Sequence, residues 1–386
     1  MSWPLVAIKD VAKVITGKTP SKLEDDNFGG EIPFVTPTEL NGSVYVSDSP
    51  QTITEKGASK LKLVPKDAVM VCCIGSLGKL AIAAREVATN QQINSVIFDK
   101  AKVYSKYGYY CLSRLKPIME SLASSTTIAI INKSNFESLE IPLPPLTEQK
   151  RIAAILDKAD SICRKRQHAI QLADEFVHAL FMNMFGDPKT NPKGWANCKL
   201  EDLTTLVTYG LTVRPEYHAE GIPLISAREI RTGETNFESS PKISKLDFEK
   251  LSDKGKPNKG DILFSKTGSI GHCAIVRANL DFAVTQNVAR IVAKKEICNP
   301  IFLLAYMRTR YFYDLANKEA KGNAVKDLQL GIMKAFPMYL PPISLQLKFV
   351  DLYSRASCII EKLTEGSSLS DSNYNSLMQK AFAGEL

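Results

Sequence analysis

The sequence predicts an α+β fold in which two similar mixed α/β domains are separated by a long antiparallel helix pair, a pseudo-twofold internal repeat. Three observations carry this. The chain matches itself at half its length. Each half mixes short β-branched runs, closed by glycine turns, with apolar stretches of helical length. Each half then ends in a proline strap that feeds a long run of helix formers.

The repeat is ordered. "WPLVAIKDVAKVITG" from Trp3 matches "WANCKLEDLTTLVTYG" from Trp195, and "IPFVTPTEL" from Ile32 matches "IPLISAREI" from Ile222. "IGSLGKLAIA" from Ile74 matches "TGSIGHCAIV" from Thr267, and "NQQINSVI" from Asn90 matches "TQNVARIV" from Thr285. "LPPLTEQKR" from Leu143 matches "LPPISLQLK" from Leu340, and "LFMNMFGD" from Leu180 resembles "LMQKAFAGEL" from Leu377. The matched blocks are mostly apolar residues, glycine and proline, as scaffolding is. The stretches between them, "VYVSDSPQTITEKGASKLKL" and "TNFESSPKISKLDFEKLSDKGK", differ freely.

Within the halves, "AVMVCCIG", "NSVIF", "DILFSKTG" and "VARIV" read as strands. "YGYYCLSRLKPIMESL" and "PIFLLAYMRTRYFYDLA" have the length and apolar spacing of helices. In "EIPLPPLTEQKRIAAILDKAD" from Glu140, Pro142, Pro144 and Pro145 fix φ and push the preceding residues towards extended backbone. Around Thr147 the composition turns to helix formers. "FPMYLPPISLQLKFVDLYSRAS" from Phe336 has the same shape. These transitions divide the chain into residues 1–145, a first globular domain; 146–185, a central helix; 186–342, a second globular domain; and 343–386, a distal helix.

Ile152, Ile155, Ala159, Ile162, Arg166, Ala169, Ala173, Phe176 and Leu180 follow alternating steps of three and four, the spacing of a helix–helix seam. The matching positions in the second copy are Phe349, Leu352, Ala356, Ile359, Leu363, Gly366, Ser370, Asn373 and Leu377, looser after Leu363. A strap followed by such a helix is a spacer between two similar units.

Composition narrows the class. The 386 residues exceed one ordinary core, and 44% hydrophobic with 23% charged residues is the balance of a soluble globular protein. No apolar run reaches the roughly 18 residues of a membrane span, and "MSWPLVAIKD" lacks a signal-peptide pattern. The 8 cysteines and 4 histidines are scattered without metal-ligand spacing, so reduced thiols in a cytoplasmic protein and no metal are expected. The net charge of +8 suits a polyanion partner without singling one out. Two related but diverged units at fixed separation suit the reading of two short sequences on one duplex.

With its paired Trp3 and Trp195 openings, "IPLPPLTEQKRIAAILDKAD", "MFGDPKTNPKGW" between the halves and the terminal "LMQKAFAGEL", the sequence resembles the specificity subunits of type I restriction-modification systems. The resemblance implies a noncatalytic subunit whose globular units are target recognition domains, each recognising one part of a bipartite double-stranded DNA target. It implies helices that set the spacer and dock two modification (methyltransferase) subunits, with restriction (translocase/nuclease) subunits as further partners and no membrane. No cofactor is expected in this chain; S-adenosylmethionine belongs to the modification subunit, ATP and Mg to the restriction subunit. The second strap departs from the first, with Leu345 in the place of Glu148 and Tyr339 in that of Pro142.

Motifs for catalysis fall short. "NPIF" at Asn299 has one proline and reads as a loop opening a helix. "GSLGK" at Gly75 lacks phosphate-loop spacing, and its counterpart has His272 in place of Lys79. "DFEK" at Asp247 has no partner in the first half and reads as surface helix. The alternative to a specificity subunit is a free-standing sequence-specific DNA-binding regulator, which has no use for paired spacer helices. DNA-facing residues are expected in the polar loops interrupting the scaffold. In the first half these are Lys18, Thr19, Thr36, Thr38, Ser76, Lys79, Asn90, Gln91 and Gln92. In the second they are Arg214, Ser226, Arg228, Arg231, Lys266, Thr267, Ser269, Thr285, Gln286 and Asn287. Asn and Gln can bond adenine bidentately and Arg guanine, while Lys and Thr can hold phosphates.

Overall fold

The computed structural model describes every residue except 1, 2, 22, 124–127, 213, 214, 323 and 324. The chain divides into two compact units, Met1–Gln167 with Gly366–Leu386, and His168–Glu365. Each unit therefore holds one globular part and a portion of each long helix, Leu146–Phe185 and Ile343–Ala383.

In the first unit a five-stranded sheet runs in the order Ala12–Thr16, Ile93–Phe98, Val69–Cys72, Leu80–Ala83, Tyr45–Val46. All its pairs are antiparallel except the last. A three-stranded sheet places Phe28–Val35 between Thr52–Ile53 and Ala88–Thr89. The second unit repeats the plan with Thr204–Tyr209, Val288–Ala293, Ile262–Ser265 and Cys273–Ile275, and with Ile222–Ile225 between Lys242–Ile243 and Ala283–Val284. Among the described residues the Tyr45–Val46 edge strand has no counterpart there.

The straps are strands. Glu140–Pro142 pairs antiparallel with Leu5–Ala7, and Pro337–Leu340 with Ala196–Lys199. The departures at Tyr339 and Leu345 leave this geometry intact, because Tyr339 is itself buried and its hydroxyl donates to the Gly186 carbonyl at 2.9 Å. Each tryptophan caps the end of a long helix: the Trp3 indole donates to the Ala381 carbonyl at 3.2 Å, and that of Trp195 to the Phe185 carbonyl at 2.9 Å. Carbonyls at a helix C-terminus have no partner within the helix, so these bonds satisfy groups otherwise left open.

Each unit has its own core. In the first, Val69, Val71, Val96, Tyr107 and Tyr110 pack with Ile152 and Leu156 of the central helix and Met378 and Phe382 of the distal one. In the second, Phe181, Phe185, Phe302, Tyr306 and Phe349 form an aromatic cluster, with Phe185 centred 4.9 Å from Phe302 and 5.3 Å from Phe349.

The helix seam differs from its expected register. Ile162 and Phe176 are 49% and 55% exposed, while the residues after them, Cys163 and Val177, are shielded. The distal helix does the same: Leu352 and Ile359 are exposed, Tyr353 and Ile360 are not. From each shared position (Ile152, Ala159, Arg166, Ala173, Leu180) the seam advances by four and then three. Both routes offer apolar residues, such as Ile155 and Leu156, so spacing alone does not choose between them. In the first unit the seam also takes a polar lock, the Arg166 guanidinium donating to the Gly366 carbonyl and the Ser370 hydroxyl.

Candidate nucleic-acid interface

Four segments meet at one end of the sheets in the first unit. Strand register brings the end of Ala12–Thr16 beside the start of Ile93–Phe98, and Cys72 opposite Ile93. Phe28–Val35 and Ala88–Thr89 end side by side, Val35 against Thr89. The loops that follow are then joined by hydrogen bonds. Lys18 N–H donates to Thr89 O at 2.9 Å, Thr19 Oγ1 to Gln91 Oε1 at 2.7 Å, Asn90 N–H to Val35 O at 3.2 Å and Cys73 N–H to Gln92 O at 2.7 Å. Residues 17–20, 36–39, 73–79 and 90–92 thus form one cluster.

The second unit builds the same cluster from 210–212, 226–231, 266–272 and 285–287. Gln286 N–H donates to Leu211 O at 2.9 Å, Thr285 N–H to Ile225 O at 3.0 Å and Lys266 N–H to Asn287 O at 2.9 Å. A glycine makes the close approach in each: a Cβ on Gly17 would stand 2.2 Å from Asn90 O, and one on Gly210 1.6 Å from Val284 O. Neither separation is tolerable for a carbon, so both positions require glycine.

Inside the clusters the candidate residues differ in what they have free. Thr36 offers its N–H and hydroxyl to Glu39 Oε2 at 2.7 and 2.8 Å, and Ser226 does the same to Glu229 Oε2 at 2.9 and 2.5 Å. These hydroxyls hold the turn. Glu39 and Glu229 are not among the residues expected to face DNA, although both stand at the same place in the matched "TPTEL" and "SAREI" blocks. Asn90 is 8% exposed and its amide donates to Gln92 Oε1 at 2.9 Å, so that pair shapes the loop. Lys18, Thr38, Ser76, Lys79 and Gln91 are exposed.

In the second cluster Arg228, Arg231, Ser269 and Gln286 are exposed, and Arg231 Nη2 donates to Ser269 Oγ at 3.1 Å. The Arg228 side chain is 76% exposed and lies 3.4 Å from Glu229 Oε1. Asn287 is half-buried, and the buried Thr285 Oγ1 has no hydrogen-bond partner among the described residues. Lys266 is 8% exposed and its ammonium sits 2.6 Å from Asp327 Oδ1, to which Thr267 Oγ1 also donates. Partial burial works against the Asp327 carboxylate, but the bonds from Lys266 and Thr267 outweigh it and hold the carboxyl below its ordinary value. Lys266 and Thr267 are thus engaged with an internal anion rather than presented to an external one. Burial, then the Arg231 charge, push the His272 imidazole below its ordinary value. Arg214 lies outside the described residues.

The motifs weighed as catalytic have structural duties. Asn299 caps the helix Pro300–Met307, accepting from Ile301 N–H at 2.9 Å. Gly75–Lys79 is the turn between Val69–Cys72 and Leu80–Ala83. Asp247, in the helix Lys245–Glu249, accepts from Ser244 Oγ at 2.9 Å. Among the described residues no group of three or more His, Cys, Asp or Glu is placed to hold a metal ion, and no helix is long and apolar enough to cross a membrane.

Comparison with known proteins agrees with this architecture. The family model described as a type I restriction modification DNA specificity domain matches residues 2–172 and again 192–365. The type I restriction enzyme MjaIX specificity subunit of Methanocaldococcus jannaschii is 25% identical over 374 residues, covering 91% of this chain and 85% of the relative. The EcoBI specificity subunit of Escherichia coli is 24% identical over 418 residues, covering 100% and 86%. The S subunit of a type I restriction-modification system from M. genitalium shares the fold with a TM-score of 0.62 at 16% identity, covering 99% of this chain and 96% of that one. A chain from a structural study of complex assembly and conformational transition in the type I system has a TM-score of 0.53 at 14% identity, covering 100% and 98%.

Proposed function

The chain belongs to the type I restriction-modification DNA specificity family, and from that premise we propose that each half reads one part of a bipartite double-stranded DNA target through its own four-segment cluster. The chain is the noncatalytic DNA-sequence-specificity subunit of such a system, acting on DNA alongside the other subunits. The observation that carries the two-part reading is the cluster itself. The same backbone plan, with glycine at the same crossing, presents serine and glutamine in both copies but adds lysine and threonine in one and arginine in the other. Constant scaffolds with different side chains suit different base sequences.

The long helices set the gap between the two half-sites and dock two modification subunits. Exposed apolar residues support the docking: Ile162 and Leu369 on the helices of the first unit, Phe176, Leu352 and Ile359 on those of the second. S-adenosylmethionine is bound by the modification subunit, ATP and Mg by the restriction subunit, and the assembly works in the cytoplasm. The purified chain alone neither binds S-adenosylmethionine nor methylates DNA.

The test is a domain exchange. Replacing residues 5–140 by those of a relative should change one half-site of the methylated sequence and leave the other. A change in both, or in neither, contradicts two independent reading units.

A further inference from the structure

The second unit contains an open cleft of about 1150 Å³ between the cluster side of the globular part and the two long helices. Among the described residues its lining holds four arginines and four carboxylates, a balanced charge unsuited to a channel for a polyanion. Two of the arginines cross it.

Arg308 caps the C-terminal end of Pro300–Met307. Its guanidinium donates to Gly233 O at 2.6 Å, to Cys273 O at 3.1 Å and to the Tyr353 hydroxyl at 3.4 Å. Gly233 follows the 226–231 segment of the cluster, Cys273 follows 266–272, and Tyr353 lies on the distal helix. One planar group therefore ties two reading segments to the helix, as a guanidinium with its fixed fork of donors can. Gly233 is built for this approach: its φ is +87°, and a Cβ there would stand 2.9 Å from Arg308 Nη2. Arg277 adds a second span, 3.4 Å from Glu234 beside the same segment and 3.4 Å from Glu361 of the distal helix. In the first unit the equivalent cap residue, Arg114, instead places its guanidinium 4.7 Å from the centre of the Phe382 ring.

We infer that Arg308, assisted by Arg277, determines how strictly the gap between the two half-sites is measured. The inference rests on the reading that the helices set that gap. A ruler measures only as well as the reading loops are fixed to it, and beside the shared apolar core these two side chains add polar spans from the loops to the distal helix. They position the loops and need touch no base.

The experiment uses the assembled modification complex and duplexes carrying both wild-type half-sites at the native gap, one pair shorter and one pair longer. Wild type should prefer the native gap. Arg308→Ala and Arg277→Ala should each lower that preference by about threefold to tenfold, the range expected for one ordinary net hydrogen bond. The preferred bases of both half-sites should stay the same. Arg308→Lys, which keeps the charge but loses the fork, should fall between. Unchanged gap preference in the variants overturns the inference, as does altered base preference with the gap preference intact. Arg277 is itself partly exposed and pairs, among the described residues, with the exposed carboxylates of Glu234 and Glu361, so its variant decides the matter if Arg308→Ala does not fold. Wild-type modification that ignores the gap would refute the ruler reading itself, and the inference with it.

Discussion

Gln149 and Gln346 make the same three hydrogen bonds in the two halves. Gln149 Nε2 donates to Lys102 O and Pro144 O, each at 2.9 Å, and its Oε1 accepts from Tyr104 N–H at 2.8 Å. Gln346 Nε2 donates to Ile297 O at 2.9 Å and Pro341 O at 2.8 Å, and its Oε1 accepts from Asn299 N–H at 2.8 Å. Both side chains are fully buried. Each clamps the first turn of a long helix to its strap and to the start of a domain helix. Gln149→Leu or Gln346→Leu leaves three polar groups unpaired and should destabilise its own half by about 2–3 kcal/mol. Denaturant midpoints followed separately in each half would show it.

That clamp also marks what sequence could and could not tell. The duplication was legible because its blocks kept order, and Gln149 and Gln346 stood aligned among changed neighbours. The clamp itself was not, because its partners Lys102, Tyr104, Ile297 and Asn299 lie far off in the chain. Four candidate segments were placed by the interruption of scaffold blocks. Which hydroxyls would be spent on Glu39 and Glu229 was not visible from composition. Lys266 read as a free cation because Asp327, its partner, lies 61 residues on. The seam was half legible, since adjacent apolar residues left the three-or-four step open.

Arg231 is the exposed arginine that bridges two segments of the second cluster. Arg231→Ala should relax one base position of the second half-site, with a loss of about 1–3 kcal/mol in discrimination there. The first half-site should be unaffected. Lys79→Ala, removing an exposed cation, should weaken binding evenly across sequences and reduce the salt slope by about 1. Binding titrations over a salt series, with base-substituted duplexes, separate the two behaviours.

Docking of modification subunits should depend on the helix residues left outside the seam. Phe176→Glu and Ile359→Glu remove exposed apolar surface and should change folding stability by no more than about 0.5 kcal/mol. Assembly with the modification subunit should weaken at least about tenfold, since a charge would be buried at the contact. Analytical ultracentrifugation of the mixed subunits measures this, and unchanged assembly would move the docking surface elsewhere.

His272 gives a pH dependence with a definite sign. Its folded-state value is depressed by burial and by Arg231. As pH falls, the unfolded chain takes up this proton first, so the second half loses stability through the window below the ordinary imidazole value of about 6.5. Above that value the group is neutral in both states and changes nothing. His272→Gln should flatten this part of the profile, which denaturant midpoints between about pH 8 and about pH 5.5 would reveal.

If two reading units sit on a helical ruler, lengthening the ruler should lengthen the gap they measure. Four residues, Ala-Glu-Ala-Lys, inserted between Ala169 and Ile170 add about 6 Å of rise and a net rotation of about 40°. One base pair contributes about 3.4 Å and about 34°. A stutter of four residues locally unwinds the seam without erasing it. Methylation mapping in a genome carrying this variant should find both half-sites unchanged and the gap between them longer by one base pair, the step that matches the rotation. A gap that stays fixed, or half-sites that change, would contradict the account.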